Sequence, residues 1–237
     1  MPGQYADEFR TEGSHLERYA QRLNCAEINS SFHRPHRRGV YERWAAATPA
    51  GFRFAVKVPK TMTHEKGLAG CSGLIERFAE EVGGLGEKLA VLLIQLPPSA
   101  PMRKRTVDGF VRRLRGAVDV DLAIEPRHPG WFTAENDLWL AERRIARVAA
   151  DPVPKRVASE CGAAQPGGWD GLAYYRWHGS PRVYYSDYPA EQLKKLQRRA
   201  AKESRAGRSV WCIFDNTAGG HALSNALWLT DAPAGSR

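Results

Sequence analysis

Short apolar segments alternate with amphipathic segments along most of the chain, and this alternation constrains the fold most strongly. The apolar segments predict seven strands, at 25–29, 52–58, 89–96, 121–126, 145–150, 172–178 and 210–215. The segments between them carry apolar residues at helical spacing. Strands separated by helices favour a parallel α/β sheet with right-handed crossovers. Seven strands are one short of a closed TIM-type barrel.

The chain is expected to form one domain over residues 1–237. Neither an internal repeat nor a low-complexity linker divides the sequence. Residues 152–171 are rich in Pro and Gly and predict a loop. Ser14 and Glu17 have the spacing of a capping box and predict a helix start.

Ionisable or amide residues gather where each predicted strand ends. They are Glu27, Asn29, Lys57, Gln95, Glu125, Arg127, Asp151, Arg176, His178, Asp215 and Asn216. Strand alternation places Arg176 with His178, and Glu125 with Arg127, on common sides. Because parallel α/β folds bind ligands outside the carboxyl ends of their strands, the pattern predicts a site there.

The same segments resemble one known family. Its motifs are Ala26-Glu27-Ile28-Asn29-Ser30-Ser31-Phe32, Phe52-Arg53-Phe54-Ala55-Val56-Lys57 with Thr63-His64, Gln95-Leu96-Pro97-Pro98, Glu125-Pro126-Arg127-His128-Pro129-Gly130-Trp131, Tyr175-Arg176-Trp177-His178-Gly179, and Phe214-Asp215-Asn216 with Asn225-Ala226. In this order they resemble the YecE-like family, domain of unknown function 72, over residues 16–237. The resemblance implies a TIM-type barrel and no settled activity.

The sequence departs from that family in three places. Members usually begin with a Gly-rich first strand that carries a Trp, and nothing similar precedes Tyr5. We therefore expect a missing or atypical first strand, from a start site assigned too late or a truncated chain. His33 stands where a tyrosine is usual, and Asp215 where the family has the first of two asparagines.

The favoured hypothesis is an enzyme for a phosphorylated or carboxylated substrate, either a hydrolase or a lyase or isomerase. Lys57, Arg127 and Arg176 come from different strands and are expected to converge on the anion. Asn29, Gln95 and Asn216 would orient the substrate by hydrogen bonds, and Trp131 would stack on a ring. His64, Asp151 and Asp215 complete the predicted substrate-binding set.

Three residues are predicted to be catalytic. Glu27 and Glu125 would act as general acid and base, because a neighbouring cation and partial burial shift carboxyl pKa values in opposite directions. His178 is the natural second proton carrier, since the ordinary pKa of histidine lies near neutrality.

A metal-assisted reaction is the first alternative. Glu27, Glu125, Asp151, His178 and Asp215 are donors that suit Mg²⁺, Mn²⁺ or Zn²⁺. No compact metal motif accompanies them, and nearby cations would compete for the same carboxylates. We therefore expect no cofactor, with a divalent metal as the open alternative.

A nucleic-acid-binding protein, with or without phosphodiesterase activity, is the second alternative. The chain has 35 Lys and Arg against 26 Asp and Glu, a formal net charge of +9. The excess lies in two segments, 101–116 and 191–208, of which the second has an apolar stripe of Leu193, Leu196 and Ala200. Such segments are most often solvated helix faces, so an anionic small molecule is the favoured partner.

Localisation is expected to be cytoplasmic. The longest aliphatic run, 89–94, is too short to cross a bilayer, and the first ten residues do not have the pattern of a signal peptide. The four cysteines, Cys25, Cys71, Cys161 and Cys212, are scattered and are predicted to be reduced thiols.

Overall fold

The structure is a computed structural model that describes residue 9, residues 12–154, residue 157 and residues 162–231. The chain divides into two compact units, Met1–Leu122 and Ala123–Arg237, called here the first and second units. The single-domain expectation stays a prediction. The expected change in the first strand falls on residues before Tyr5, and the predicted thiol of Cys161 also lies outside the described residues.

The first unit contains a parallel sheet of three strands, β1 (Cys25–Ile28), β2 (Arg53–Lys57) and β3 (Leu89–Gln95). Its helices are α1 (His15–Tyr19), α2 (Ser30–His33), α3 (Arg38–Ala46), α4 (Ser72–Val82) and α5 (Lys104–Ala117). A π-helical turn covers Thr61–Glu65, and a 3₁₀ segment covers Gly83–Lys88. The predicted capping box is confirmed at the start of α1, where Ser14 and Glu17 bond each other's backbone N–H groups.

Strand β4 (Asp121–Glu125) spans the boundary and continues into the second unit. The second unit also contains β5 (Ile145–Arg147), β6 (Ala149–Asp151), β7 (Gly167–Gly168), β8 (Leu172–Trp177) and β9 (Ser209–Phe214). Its helices are α6 (Ala134–Glu142), α7 (Ala190–Arg205) and α8 (His221–Asp231), with a 3₁₀ turn at Pro129–Trp131. Strands β6, β8 and β9 form a parallel sheet in that order.

The alternation of strands and helices is confirmed as a mixed α/β fold with parallel sheets. Two local predictions are wrong. The predicted strand 145–150 is two short strands with different partners, since β5 pairs with β7 and β6 pairs with β8. The predicted loop 152–171 contains β7, which runs antiparallel to β5. Within the described residues no strand pairing closes a barrel, so the TIM-type barrel stays a prediction.

Residue alternation along β8 separates a packed face from a polar face. Ala173, Tyr175 and Trp177 join one buried cluster with Leu193 and Leu196 of α7. The intervening Arg176 faces the other side of the strand, as does Tyr174, whose ring stacks on Trp211 with centroids 5.9 Å apart. Packing of the apolar face under α7 therefore fixes the direction in which Arg176 points.

The basic segments are amphipathic helices. Helix α5 buries Val107, Phe110, Val111 and Leu114, and α7 buries Leu193 and Leu196, while Lys194, Lys195, Arg198 and Arg199 are exposed. Both helices thus have apolar residues that pack inward and basic residues that face water. Across the parts of the chain that the structure describes, no helix is long and apolar enough to span a membrane.

We expect the apolar stripe of α7 to stabilise the second unit, and its charges to contribute little. Leu196→Ala should lower the free energy of unfolding by about 2–5 kcal/mol, because it leaves a cavity among buried side chains. Lys195→Ala, one residue away on the exposed face, should change it by less than about 0.5 kcal/mol. Urea unfolding followed by circular dichroism measures both values. An equal loss in the two variants would contradict this division of α7.

Candidate functional site

The polar residues of the second unit are positioned by strand register. In the β6–β8–β9 sheet Asp151 lies beside Trp177, which lies beside Phe214. The ladder continues past the strand ends, because the His178 N–H donates to the Asp151 carbonyl at 2.7 Å and the Asp215 N–H donates to the Trp177 carbonyl at 2.8 Å. His178 and Asp215 are thereby held directly beyond the carboxyl ends of β8 and β9.

Five side chains meet there and are called here the Glu125 cluster: Glu125, Arg127, Arg176, His178 and Asp215. Arg176 donates to Glu125 Oε2 at 2.6 Å and to Asp215 Oδ2 at 3.2 Å. His178 Nε2 lies 3.2 Å from Glu125 Oε1, and its Nδ1 lies 3.1 Å from Asp215 Oδ2. Arg127 forms an ion pair with Glu125 Oε1. The structure therefore brings together five residues that the sequence placed in the site.

Glu125 is fully buried, with no exposed surface. Burial alone would raise the pKa of its carboxyl group, but Arg176, Arg127 and His178 outweigh that effect and hold the pKa well below the ordinary value of 4.5. Glu125 is consequently an ionised carboxylate at neutral pH. Its geometry suits it to hold cations in place, since a group that stays ionised has no proton to donate.

The His178 ring lies between two carboxylates. Burial opposes its protonation, but Glu125 and the hydrogen bonds to Asp215 and Glu125 raise the pKa of the imidazole above 6.5. Each ring nitrogen faces a carboxylate oxygen, and only the imidazolium form can donate from both nitrogens. These contacts favour the protonated ring, so His178 keeps its proton to a higher pH than an ordinary histidine does.

Arg127 is the most accessible cation of the cluster, with 20% of its side chain exposed. One of its guanidinium nitrogens also lies 3.0 Å from His178 Nε2. Because a guanidinium only donates, this contact is a hydrogen bond only when the ring is neutral. Arg127 Nε is buried and has no hydrogen-bond partner among the described residues. Arg127 thus has donor capacity that no described residue uses.

Asp151 is joined to the cluster through the backbone and Tyr188. The Tyr188 hydroxyl donates to Asp151 Oδ1 at 2.8 Å and accepts from the Gly179 N–H at 2.8 Å. Burial raises the pKa of Tyr188, and the Asp151 charge raises it further, so the phenol stays protonated. Tyr188 therefore fixes the backbone that follows His178, and sequence reasoning did not identify it.

Asn216 lies in a second polar network of the same unit. It is fully buried, and its Nδ2 donates to the Ser186 carbonyl at 3.0 Å and to Asn225 Oδ1 at 2.8 Å. Asn225 in turn donates to Asp187 Oδ1 at 2.8 Å. These bonds assign Asn216 to holding the 179–189 loop. The Asn216 Oδ1 atom is buried with no hydrogen-bond partner in the described part of the chain.

Five predicted residues belong to the first unit and are described there by themselves: Glu27 of β1, Asn29 after β1, Lys57 at the end of β2, His64 of the π-helical turn, and Gln95 at the end of β3. The structure brings two of these together. The Lys57 ammonium lies 4.0 Å from the centroid of the Phe32 ring, and the His64 ring packs edge-on against Phe32 at 5.0 Å.

The charges near the Phe32 ring also affect the protonation of His64. Burial, Lys57 and Lys60 lower the pKa of the His64 imidazole. The neighbouring ammonium groups favour the neutral form of the His64 ring, whereas the carboxylates beside His178 favour its protonated form. Lys57 and His64 therefore contribute one positive charge between them.

Trp131 is almost fully buried, with 1% of its surface exposed. It lies in the 3₁₀ turn Pro129–Trp131, which a hydrogen bond from Asn136 Nδ2 to the Gly130 carbonyl holds in place at 2.8 Å. This burial places Trp131 in the core of the second unit. Stacking of Trp131 on a substrate stays a prediction.

The donor set of the cluster determines how a metal would fit. Within the described ranges no group of three or more His, Cys, Asp or Glu side chains is arranged to hold a metal ion. Two guanidinium groups contact the Glu125 oxygens, and a cation would have to displace them. The expectation of no cofactor stays a prediction.

Comparison with known proteins gives the family. The sequence profile of DUF72, described as a protein of unknown function, matches residues 3–235. The chain belongs to the DUF72 family. This confirms the predicted resemblance and extends it toward the amino terminus, because the match begins before residue 16.

Curated DUF72 relatives are similar at modest identity. The UPF0759 protein YecE of Escherichia coli K12 is 29% identical over 149 residues, which cover 60% of this chain and 54% of YecE. The alignment thus spans about half the length of that relative. The UPF0759 protein YunF of Bacillus subtilis strain 168 is 23% identical over 248 residues, covering 91% of this chain and 85% of YunF.

Solved DUF72 structures have the same fold. A family protein from Enterococcus faecalis V583 superposes with a TM-score of 0.76 at 21% identity, covering 95% of this chain and 90% of that one. Another from Thermotoga maritima MSB8 superposes with a TM-score of 0.70 at 25% identity, covering 87% and 83%.

We expect Glu125→Gln to destabilise the second unit strongly. The amide keeps the shape of the side chain but removes the closer of the two carboxylate charges that face the buried Arg176 guanidinium, which should cost about 3–5 kcal/mol of unfolding free energy. Glu142→Gln, at an exposed surface position, should change it by less than about 0.5 kcal/mol. Urea denaturation of both variants measures the difference. A cost below 1 kcal/mol for Glu125→Gln would show that the cluster does not depend on this charge.

The pH dependence of stability should report His178. Its pKa is raised in the folded protein, so its contribution is complete below about pH 6.5 and is lost as pH rises through the higher folded value. The wild-type melting temperature should therefore fall over that interval, and His178→Asn should remove the fall.

The lowered pKa of Glu125 affects stability in a separate pH range, where stability is lost as pH falls well below 4.5.

His33→Asn replaces an exposed histidine and is the matched control for His178→Asn, so it should keep the wild-type profile. Differential scanning fluorimetry from pH 5 to 9 is the measurement. A His178→Asn profile that coincides with wild type above pH 6.5 would refute the raised pKa.

Proposed function

We propose that this DUF72 protein is an enzyme that binds a phosphorylated or carboxylated small molecule at the Glu125 cluster and transfers a proton from His178. The observation that carries the proposal is the position of the His178 ring, which lies between Glu125 and Asp215 beside the accessible Arg127. The proposal includes the TIM-type barrel, whose active sites lie at the carboxyl ends of the strands. It also includes a cytoplasmic location, which the free thiols of Cys25 and Cys71 support.

Charge balance supports an anionic ligand. Two carboxylates face two guanidinium groups and one imidazolium, so the cluster carries one net positive charge while His178 is protonated. Arg127 is the accessible cation and has a buried Nε–H with no partner among the described residues. A bound phosphate or carboxylate would balance the charge and accept from the guanidinium fork.

The proton chemistry assigns different roles to the two carboxylates. Glu125 stays ionised and orients Arg176, Arg127 and His178, so it acts as a positioning residue. His178 holds the proton that is available near neutral pH and is the general acid. Asp215 accepts from His178 Nδ1 and keeps the ring in place. After proton donation, the neutral ring can accept a hydrogen bond from Arg127.

For the first unit by itself, anion binding by Lys57 and acid–base chemistry by Glu27 stay predictions, as do polar contacts of Asn29, Gln95 and His64 with a substrate. Support comes from their positions at or after strand ends, or in the turn that follows β2. The nucleic-acid and phosphodiesterase alternatives are not favoured, because the guanidinium groups contact the carboxylates that would bind a metal.

We expect an anion to stabilise the protein through Arg127. At about ten times Kd, a ligand adds roughly 1.4 kcal/mol, which raises the melting temperature of a chain of this size by roughly 3–6 °C. Inorganic phosphate, glycerol 3-phosphate and citrate are the probes, read by thermal shift at pH 6.5. Arg127→Ala should abolish the increase.

Arg198→Ala is the matched control, because it removes an exposed guanidinium from α7. This variant should respond to the probes as wild type does. The proposal fails if none of the three anions stabilises the wild type, or if Arg127→Ala responds equally.

A further inference from the structure

The loop that follows His178 exposes an apolar surface. Val183, Tyr184 and Tyr185 are 37%, 45% and 47% exposed, and among the described residues Leu138 is the only other exposed large hydrophobic side chain. These three consecutive exposed residues are called here the tyrosine patch. Aromatic side chains in this setting are typical of surfaces that bind a ligand ring.

The patch is held by a fixed backbone. The Tyr184 N–H donates to the His178 carbonyl at 2.5 Å, and the Ala218 N–H donates to the Tyr184 carbonyl at 3.1 Å. The loop is also held from Ser186, whose hydroxyl accepts from the Arg182 N–H at 3.0 Å and whose carbonyl accepts from Asn216. The tyrosines are consequently presented in one arrangement, which lowers the entropy cost of binding.

Tyr184 has a strained backbone conformation. Its φ of 70° lies in the left-handed region, where a side chain with a Cβ is disfavoured. Residues in such conformations cluster at ligand-binding sites, where the surrounding structure holds them. Here the two backbone bonds of Tyr184 and the buried Asn216 supply that support.

The patch adjoins the charged cluster. The Tyr184 ring lies edge-on to the His178 ring, with centroids 6.1 Å apart. The Arg182 guanidinium lies 4.0 Å from the centroid of the Tyr185 ring and places a further cation in the same loop. An aromatic surface and an anion-binding group are therefore neighbours.

We propose that the tyrosine patch binds a planar aromatic group of the substrate, so that the substrate class is an aromatic phosphate or carboxylate. This inference rests on the proposed function, because the anion occupies the Glu125 cluster while the ring stacks on Tyr184 or Tyr185. The patch supplies the affinity for the ring, and Arg127 supplies the affinity for the anion.

Two matched pairs of probes separate ring binding from anion binding. Phenyl phosphate is compared with cyclohexyl phosphate, and benzoate with cyclohexanecarboxylate, by isothermal titration calorimetry. In at least one pair the aromatic member should bind roughly tenfold tighter to the wild type. Tyr184→Leu with Tyr185→Leu should remove that preference and leave the affinity for the cyclohexyl member within about twofold, since the anion site is intact.

Leu138→Ala is the matched control, because it removes the exposed hydrophobic side chain of α6. It should keep the wild-type preference. Tyr184→Phe should also keep the preference for the aromatic probe, because it retains the ring. This variant tests the role of the ring without a leucine, which could prevent the loop from folding. Arg127→Ala should weaken all four probes.

The outcomes distinguish the two proposals. Equal binding of aromatic and cyclohexyl members to the wild type overturns the tyrosine patch and leaves the anion site standing. An aromatic preference that survives the double leucine variant also overturns it. Failure of all four probes to bind the wild type overturns the proposed function together with this inference.

Discussion

A single buried carboxylate organises the second unit. Glu125 has no exposed surface, and an ion in that position is stable only when cations and hydrogen bonds surround it. Glu125 ends β4 and Arg127 follows that strand, whereas Arg176 lies in β8 and His178 follows β8. Because these groups contact one carboxylate, the carboxyl ends of β4 and β8 are held close together.

The same charges favour a proton on the His178 ring. Glu125 and Asp215 face opposite nitrogens of one imidazole, and both carboxylates also contact Arg176. The guanidinium favours ionised carboxylates, and ionised carboxylates favour a protonated ring. The cluster thus combines a carboxylate that stays ionised with an imidazole whose pKa is raised, and Arg127 can contact the ring in its neutral form. This arrangement is the basis of the proposed anion-binding acid.

Much of the site follows from sequence because strand periodicity is a local property. The two-residue spacing of Arg176 and His178 predicts their common side, and the strand ends predict the meeting of Glu125 with Asp215. Tyr188 and Asn225 could not be found this way, since their roles depend on the path of the 179–189 loop. The repeated tyrosines of that loop, Tyr184, Tyr185 and Tyr188, are the sequence feature that could have pointed to Tyr188. The split of 145–150 was also beyond sequence, because a short apolar run does not reveal its partner.

The central claim, that two carboxylates hold His178 as an imidazolium, is tested most directly by nuclear magnetic resonance. The chain has seven histidines, and comparison with His178→Asn assigns the ring signals of the buried one. A pH titration of its ¹³C and ¹⁵N shifts should give a pKa above 6.5, with both nitrogens protonated below it. A pKa at or below 6.5, or a single neutral tautomer across the range, would contradict the claim.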